Sequence, residues 1–304
     1  MKRFYKKQNA LITGATGFIG SHLVKRLLSD GWNVHIIVRP NSNLKQIQEV
    51  LSDINVYQYT GSINEMVEIV EKSQPRIVYH LASLFMVEHQ PKDINQLIES
   101  NILLGTQLLE AMAQNGVHRL INAGTSWQHY HNNKYNPVNL YAATKQAFED
   151  IVAYYTDAAG LKVITLKLFD TYGPDDPRNK LFALLRHASQ ERQILNLSPG
   201  NQLIDLVYID DVINAFILAS KYLLHNQVDS QKTYAVSSAA PVRLKKIVQI
   251  YNKVIGKTLK INWGGRPYRA REVMIPWNTG NILPNWRPRI NLINGIRIIE
   301  GPTK

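Results

Sequence analysis

The chain has 304 residues, 45% of them hydrophobic, no cysteine, and 35 Lys+Arg against 23 Asp+Glu, for a formal charge of +12. That length supports a large core and a second, smaller lobe. The missing cysteines exclude disulfides and thiolate chemistry, the lack of any apolar run near roughly 18 residues argues against a membrane span, and the positive balance favours anionic partners.

In chain order, MKRFYKK reads as a solvated leader. The longer opening MKRFYKKQNALITGATG is a poor signal peptide, because Gly14 and Gly17 break a short apolar stretch. The expectation is a cytoplasmic protein. The basic clusters are short and not interleaved with aromatics, which argues against nucleic-acid binding. NALIT, NVHIIV, INVYQY, RIVYHLA, HRLINAG and LKVITLKLF read as strands, separated by amphipathic segments such as GSHLVKRLLSDG and NILLGTQLLEAMAQNG. This alternation predicts an α/β fold with a doubly wound parallel sheet covered on both faces. Gly31 and Gly116 fall where helix C-caps belong. After about Tyr172 the rhythm changes: KLFALLRHASQ reads as a helix, DLVYIDDVINAFILASKYL as a short strand and a helix, and RLKKIVQIYNKVIG as one helix before an Arg-, Pro- and Trp-rich tail. The expected division is 1–171 plus 201–240 for the sheet domain, with 201–240 returning to the main sheet, and 172–200 plus 241–304 for a smaller C-terminal α/β substrate lobe.

Two stretches carry chemistry. The first, NALITGATGFIGSHLVKRLL, sets Gly14, Gly17 and Gly20 after a strand and at the opening of a helix. Glycines there allow a tight turn and close backbone approach, and the helix N-terminus offers N–H groups to a pyrophosphate; a plain Gly-rich turn is the alternative. The next strand ends in Arg39, followed by Asn41 and Ser42, with no acid nearby. An acid would grip the ribose hydroxyls of NAD; a basic residue suits the 2′-phosphate of NADP(H). NADP(H) is therefore preferred, with NAD(H) possible. The second stretch, NLYAATKQAFED, puts Tyr141 and Lys145 four positions apart. On a helix they share one face, where an ammonium lowers a phenol's pKa and makes it a proton donor and acceptor near neutrality. On these twelve residues alone, an ordinary amphipathic helix with a chance pair is the better account.

The glycine turn, HLAS at 80–83, Asn101, Thr125 and YxxxK at 141–145, together with YGP at 172–174 and LVYIDDV at 206–212, resemble the extended short-chain dehydrogenase/reductase family in their order and spacing. The resemblance implies a Rossmann domain that binds NAD(P), a C-terminal lobe that takes a nucleoside-diphosphate sugar, and a homodimer. Residue by residue, it implies Tyr141 as general acid/base, Lys145 holding the nicotinamide ribose, and Thr125, assisted by Ser126, bonding the reacting sugar oxygen. Cofactor contacts would come from Gly14, Thr16, Gly17, Phe18, Ile19, Gly20, Arg39, Leu81, Ala82, Ser83, Asn101, Tyr141, Lys145 and Phe169. Sugar-nucleotide contacts would come from Ser83, Thr125, Ser126, Asp170, Lys180 and Arg271.

Departures from the family pattern narrow the reading. The acidic pair of the 4,6-dehydratases is replaced by Ser126 and Trp127, which argues against dehydration. Asp170 stands where an Asn usually contacts the sugar, and Ile204 where an Arg often clamps the diphosphate. Arg271, with Arg266 and Arg269 as substitutes, lies where a second phosphate-binding Arg is expected; a solvated basic loop is the alternative. His129 and His131 lack a supporting carboxylate, so no metal is expected. GTSWQHY and YNPVNLYAATKQAFED are similar to reductases of 4-keto-deoxyhexose nucleotides, which points to an NADPH-dependent reductase acting on a CDP- or dTDP-linked 4-keto-6-deoxy- or 3,6-dideoxyhexose. The rivals are an NAD-dependent nucleotide-sugar 4-epimerase and, from another class, a non-catalytic dinucleotide sensor.

Overall fold

The computed structural model describes residues 7–301; the leader residues 1–6 lie outside the described residues, and with them the expectation of a solvated leader. The elements run β1 (Asn9–Thr13), α1 (Phe18–Ser29), β2 (Asn33–Val38), β3 (Ile54–Gln58), α2 (Ile63–Ser73), β4 (Ile77–His80), α3 (Ile94–Ile98), α4 (Leu104–Gln114), β5 (Arg119–Thr125), α5 (Leu140–Ala158) and β6 (Lys162–Leu168). They continue with β7 (Asp170–Tyr172), α6 (Leu181–Glu191), β8 (Leu195–Leu197), β9 (Leu203–Ile204), β10 (Leu206–Tyr208), α7 (Ile209–Leu224), β11 (Gln231–Val236), β12 (Val242–Arg243), α8 (Leu244–Ile255), β13 (Ile261–Trp263) and α9 (Leu292–Glu300). The chain forms two compact units, one of residues up to 125 with 139–167 and 213–234, the other of 126–138, 168–212 and 235–304.

The first unit is organised by a seven-stranded sheet in the order β3-β2-β1-β4-β5-β6-β11. The pairs β1–β2, β2–β3, β1–β4 and β4–β5 are parallel. Its strands are continuous apolar runs because both faces are covered. On one face Leu11, Val78, Leu120 and Val163 of the sheet meet Met66 and Val70 of α2, Leu108 and Met112 of α4, and Phe148 and Val152 of α5. This is the Rossmann-type fold the sequence predicts. Strand order reverses between β1 and β4, which opens the crevice where ligands bind in such sheets. Gly31 (φ 83°) and Gly116 (φ 65°) follow the ends of α1 and α4 in left-handed conformation, as helix-terminating glycines do. Between α3 and α4 the helix widens into a π-helical turn over Glu99–Leu103.

The second unit is held by three two-stranded ladders, β7 with β10, β9 with β12, and β8 with β13. Two features differ from the sequence reading. Within 201–240, only β11 joins the main sheet, because β10 pairs with β7 (Leu206 with Asp170, Tyr208 with Tyr172). Buried Asp205 fixes that geometry: its carbonyl accepts from Asp170 N–H at 3.1 Å, and its carboxylate accepts from Ser237 Oγ and from Ser238 N–H at 2.8 Å. The Arg/Pro/Trp-rich tail also carries the helix α9, N-capped by Asn291, whose Oδ1 accepts from Asn294 N–H at 2.9 Å. Gly295 in mid-helix hides it from propensity reasoning. The glycine is there because a methyl at that position would overlap the Tyr172 hydroxyl.

Candidate active site

The glycine turn after β1 is fixed by three different demands. Gly14 adopts φ 75°, and a Cβ on it would sit 2.5 Å from the backbone nitrogen of Ala82, after β4; a Cβ on Gly20 would overlap the Gly14 carbonyl. These two glycines close the turn onto the sheet. A Cβ on Gly17 would meet only the Gly14 carbonyl oxygen, at 3.4 Å. Its place is open, and Gly17 is the N-cap of α1. No side chain caps this helix, and no acid lies in its first turn. The N-terminal N–H groups and the positive dipole end therefore suit an anion, so the turn fits the pyrophosphate of a dinucleotide.

A cleft within the first unit runs over this turn, lined by Thr13, Gly14, Thr16, Gly17, Arg39, Leu81, Ala82 and Ser83, together with Ser42, Tyr59, Ser100 and Leu104. Arg39 is exposed at the end of β2, and its guanidinium has no protein partner among the described residues. Ser42 Oγ accepts from Arg39 N–H at 3.0 Å, which ties the following loop to the strand end. Phe18 and Ile19 form the first turn of α1, and the Phe18 ring is buried edge-on to His22 at 5.1 Å, so what Phe18 offers a ligand is backbone. Thr13, Tyr59 and Ser100 were not anticipated from the sequence. Thr13 carried a weak signal, as the last residue of the strand before the glycines. Its Oγ1 accepts from Ala82 N–H at 3.2 Å and bonds His80 Nδ1 at 2.8 Å.

Tyr141, Thr125 and Ser83 come together in the same unit. The Tyr141 phenol is hydrogen-bonded to both hydroxyls, and its ring meets Phe85 edge-on at 5.0 Å. Asn139 starts the helix that carries it: Oδ1 accepts from Ala142 N–H at 3.0 Å, and Nδ2 donates to the Met86 and Val87 carbonyls at 2.9 Å. Burial pushes the Tyr141 phenol up to about 12, with the Ser83 and Thr125 hydrogen bonds opposing it. The expected depression by Lys145 is therefore reversed in the protein alone, because desolvation of the phenolate outweighs the bonds that favour it. Burial also lowers Lys145, to about 8; Glu149 favours its charge and Lys167 opposes it.

Asn101, expected at the cofactor, is fully buried in the π-helical turn. Its Oδ1 accepts from Ser83 Oγ at 3.0 Å and Leu84 N–H at 2.7 Å, while Nδ2 donates to the Leu84 carbonyl at 3.1 Å and Thr144 Oγ1 at 2.9 Å. Its amide is engaged by protein groups on both sides, and it links Ser83 to Thr144 of α5.

In the second unit, Ser126 is buried in the 3₁₀ turn Ser126–Gln128. Asp170 pairs with Lys180 Nζ at 3.5 Å, and Phe169 lies parallel to Trp277 at 6.3 Å. Arg271 stands 4.4 Å over the Tyr130 ring and donates to Asn136 Oδ1 at 2.5 Å. Arg269 is ion-paired with Glu272 at 2.7 Å over the Trp127 ring, whereas the Arg266 side chain has no protein partner among the described residues. His129 stacks on Trp277 at 4.0 Å. Among the described residues no group of three or more His, Asp or Glu is placed to hold a metal ion, and no helix is long and apolar enough to cross a membrane.

The chain is similar over nearly its whole length to several known proteins. It is 25% identical over 300 residues to CDP-abequose synthase of Salmonella typhimurium, covering 96% of this chain and 97% of that protein. It is 27% identical over 308 residues to UDP-glucuronate 4-epimerase of Thermodesulfobacterium geofontis, covering 94% and 93%. In fold it matches the Thermotoga maritima UDP-glucose 4-epimerase solved with UDP-glucose, with TM-score 0.82, 22% identity and coverage of 96% and 97%. The Thermus thermophilus UDP-glucose 4-epimerase solved with NAD matches with TM-score 0.80, 23% identity and coverage of 96% and 97%. The glycine turn, the cleft above it and the Ser83–Tyr141–Thr125 cluster all fall inside residues 10–236, which match the family model "NAD dependent epimerase/dehydratase family", and the chain belongs to that family.

Proposed function

We propose that the chain is an NADPH-dependent 4-ketoreductase of a nucleoside-diphosphate 4-keto-6-deoxy- or 3,6-dideoxyhexose in deoxysugar biosynthesis. The observation that carries the reading is the Arg39 guanidinium on the cleft over the glycine turn, without a protein partner among the described residues and at a strand end without an acid. The full-length similarity to CDP-abequose synthase supports it. When bound, NADPH supplies a hydride to the sugar carbonyl carbon. Tyr141 Oη gives its proton to the carbonyl oxygen, while the Thr125 and Ser83 hydroxyls orient the phenol. A phenol pushed up to about 12 is fully protonated at neutral pH, the form a reductase needs. Lys145 contributes positive charge one turn along the same helix face. Ser126, Asp170, Lys180 and Arg271 are the further sugar-nucleotide contacts of this reading, and the protein acts as a homodimer in the cytoplasm.

Incubating the protein with NADPH and a panel of CDP- and dTDP-4-keto sugars tests this; consumption of NADPH with formation of the 4-hydroxy sugar is expected. The second reading is a 4-epimerase, supported by the similarity to the UDP-glucuronate 4-epimerase. Stoichiometric NAD⁺ carried through purification, with interconversion of C4 epimers and no net NADPH consumption, would replace the reductase by that alternative.

A further inference from the structure

Tyr141, Lys145 and Glu149 occupy successive turns of α5 and so share one helix face. Lys145 is 1% exposed and Glu149 6%. The Glu149 carboxylate is gripped from the sheet by Lys167 of β6, whose Nζ lies 2.8 Å from Oε1 and 2.7 Å from Oε2, and Lys167 is itself 2% exposed. Beside this pair the chain carries Gly124, where a Cβ would come within 2.9 Å of Lys167 Cδ and 3.1 Å of Glu149 Oε1. The residue before Thr125 thus has no side chain, and the ion pair fills the space. A buried pair of this kind is weak as a source of stability, since desolvating both charges offsets their attraction. It needs another reason to be there.

We propose that Glu149, anchored by Lys167, is a positioning residue that holds a proton on Lys145, making a three-step ionisable face Tyr141–Lys145–Glu149 along α5. The surroundings of Lys145 are otherwise unhelpful to its charge. It is desolvated, β6 presents the like charge of Lys167, and β4 presents the His80 ring, which is held neutral by burial and by Lys145 itself. Asp150 acts on Lys167 and not on Lys145, and Glu110 of α4 is engaged with Tyr155 and Gln114. Glu149 is the only carboxylate among these groups that favours the Lys145 ammonium. Lys167 has a double effect: it fixes the carboxylate in place and repels the ammonium that carboxylate serves.

This inference rests on the proposed role of Lys145, and its test reads the protein alone. The Nζ titration of Lys145 is followed by NMR of lysine labelled at Cε, the resonance being identified by its absence in Lys145→Arg. Glu149→Gln should lower the Lys145 pKa by about one unit, or tenfold in proton affinity, and Lys167→Met should raise it. Opposite signs from two members of one ion pair are not produced by loosened packing. Shifts of the same sign, or no shift in Glu149→Gln, overturn the proposal. If Glu149→Gln does not fold, the Glu149→Gln/Lys167→Met double variant leaves neither member of that ion pair without its partner and carries the test. Its Lys145 should titrate below wild type, because Glu149 is the stronger neighbour; a value at or above wild type overturns the proposal. A failed reductase assay with these shifts present would refute the function and leave the electrostatic arrangement standing.

Discussion

The two units are built by different means. The first rests on backbone: four- to seven-residue strands, glycines dictated by φ or by close approach, and a helix N-terminus whose N–H groups suit an anion. The second rests on side chains: ladders of two or three residue pairs, supplemented by Phe169–Trp277 and His129–Trp277 stacking and by Arg271 over Tyr130. Charge is also unevenly placed along the chain. Residues 231–304 hold fourteen Lys or Arg against only Glu272 and Glu300, a surplus of twelve equal to that of the whole chain, and residues 1–230 are balanced. A backbone-built site serves any ligand with the shared diphosphate chemistry, whereas a site made of individual side chains is where one chain departs from its relatives.

The sharpest way to break this comparison is to remove the Tyr141 oxygen, the proposed proton donor of the first unit. Tyr141→Phe should cut kcat by about 10²–10⁴-fold while leaving thermal unfolding and cofactor binding unchanged. Retention of more than about a tenth of the rate means another group donates the proton.

The next effect separates two glycines three residues apart. Gly20→Ala drives a methyl into the Gly14 carbonyl and should cost about 3 kcal/mol of stability, as backbone clashes of this kind do. Gly17→Ala meets only one atom, at 3.4 Å, and should fold normally but bind dinucleotide more weakly. Equal unfolding midpoints for the two variants would show that the turn is not constrained as described.

This contrast marks what the sequence disclosed. The strands, the turn and the Tyr141–Lys145 face were legible because local spacing determines them: an apolar run, a φ requirement and a helical period all act over a few residues. The pairing of β10 with β7 was not, because it depends on Asp205 meeting Ser237 and Ser238 more than thirty positions away. α9 was hidden by Gly295, whose reason for being glycine is Tyr172, far off in sequence. The phenol's pKa was misjudged because i, i+4 spacing reports a neighbour's charge and says nothing of burial.

A third expectation concerns cofactor choice. Arg39→Ala should weaken NADPH relative to NADH by about ten- to a hundredfold, the worth of roughly 1.5–3 kcal/mol for a hydrogen bond to a charged group. An unchanged NADPH/NADH ratio in titration would remove the basis for NADPH preference.

Smaller still is a pH effect in the sheet. Burial, with a contribution from Lys145, holds His80 near 3, against an ordinary value near 6.5. Between those values the unfolded chain binds a proton that the folded chain refuses. Stability should therefore fall as pH drops below about 6.5, by up to about 1.4 kcal/mol per pH unit. Urea unfolding at several acidic pH values should show this slope, and His80→Gln should flatten it; the same slope in both would place its origin elsewhere.

The smallest effect is expected from the side-chain-built unit. Arg271→Ala should raise the nucleotide-sugar KM about fivefold, in line with the modest worth of an exposed charge, and leave NADPH affinity alone. A KM that stays put, with Arg266→Ala raising it instead, would move the phosphate contact to Arg266, whose side chain has no protein partner among the described residues.

The π-helical turn at Glu99–Leu103 has a consequence for descent. Such a turn holds one residue more than the α-helix around it needs. Deleting one residue from that turn would return it to ordinary helical winding and swing everything on one side by about 100° relative to the other. Asn101 would then leave Ser83, Leu84 and Thr144 together. Lineages that keep an asparagine at this point of the helix are therefore expected to keep the extra residue too, so that the two are gained and lost as one character.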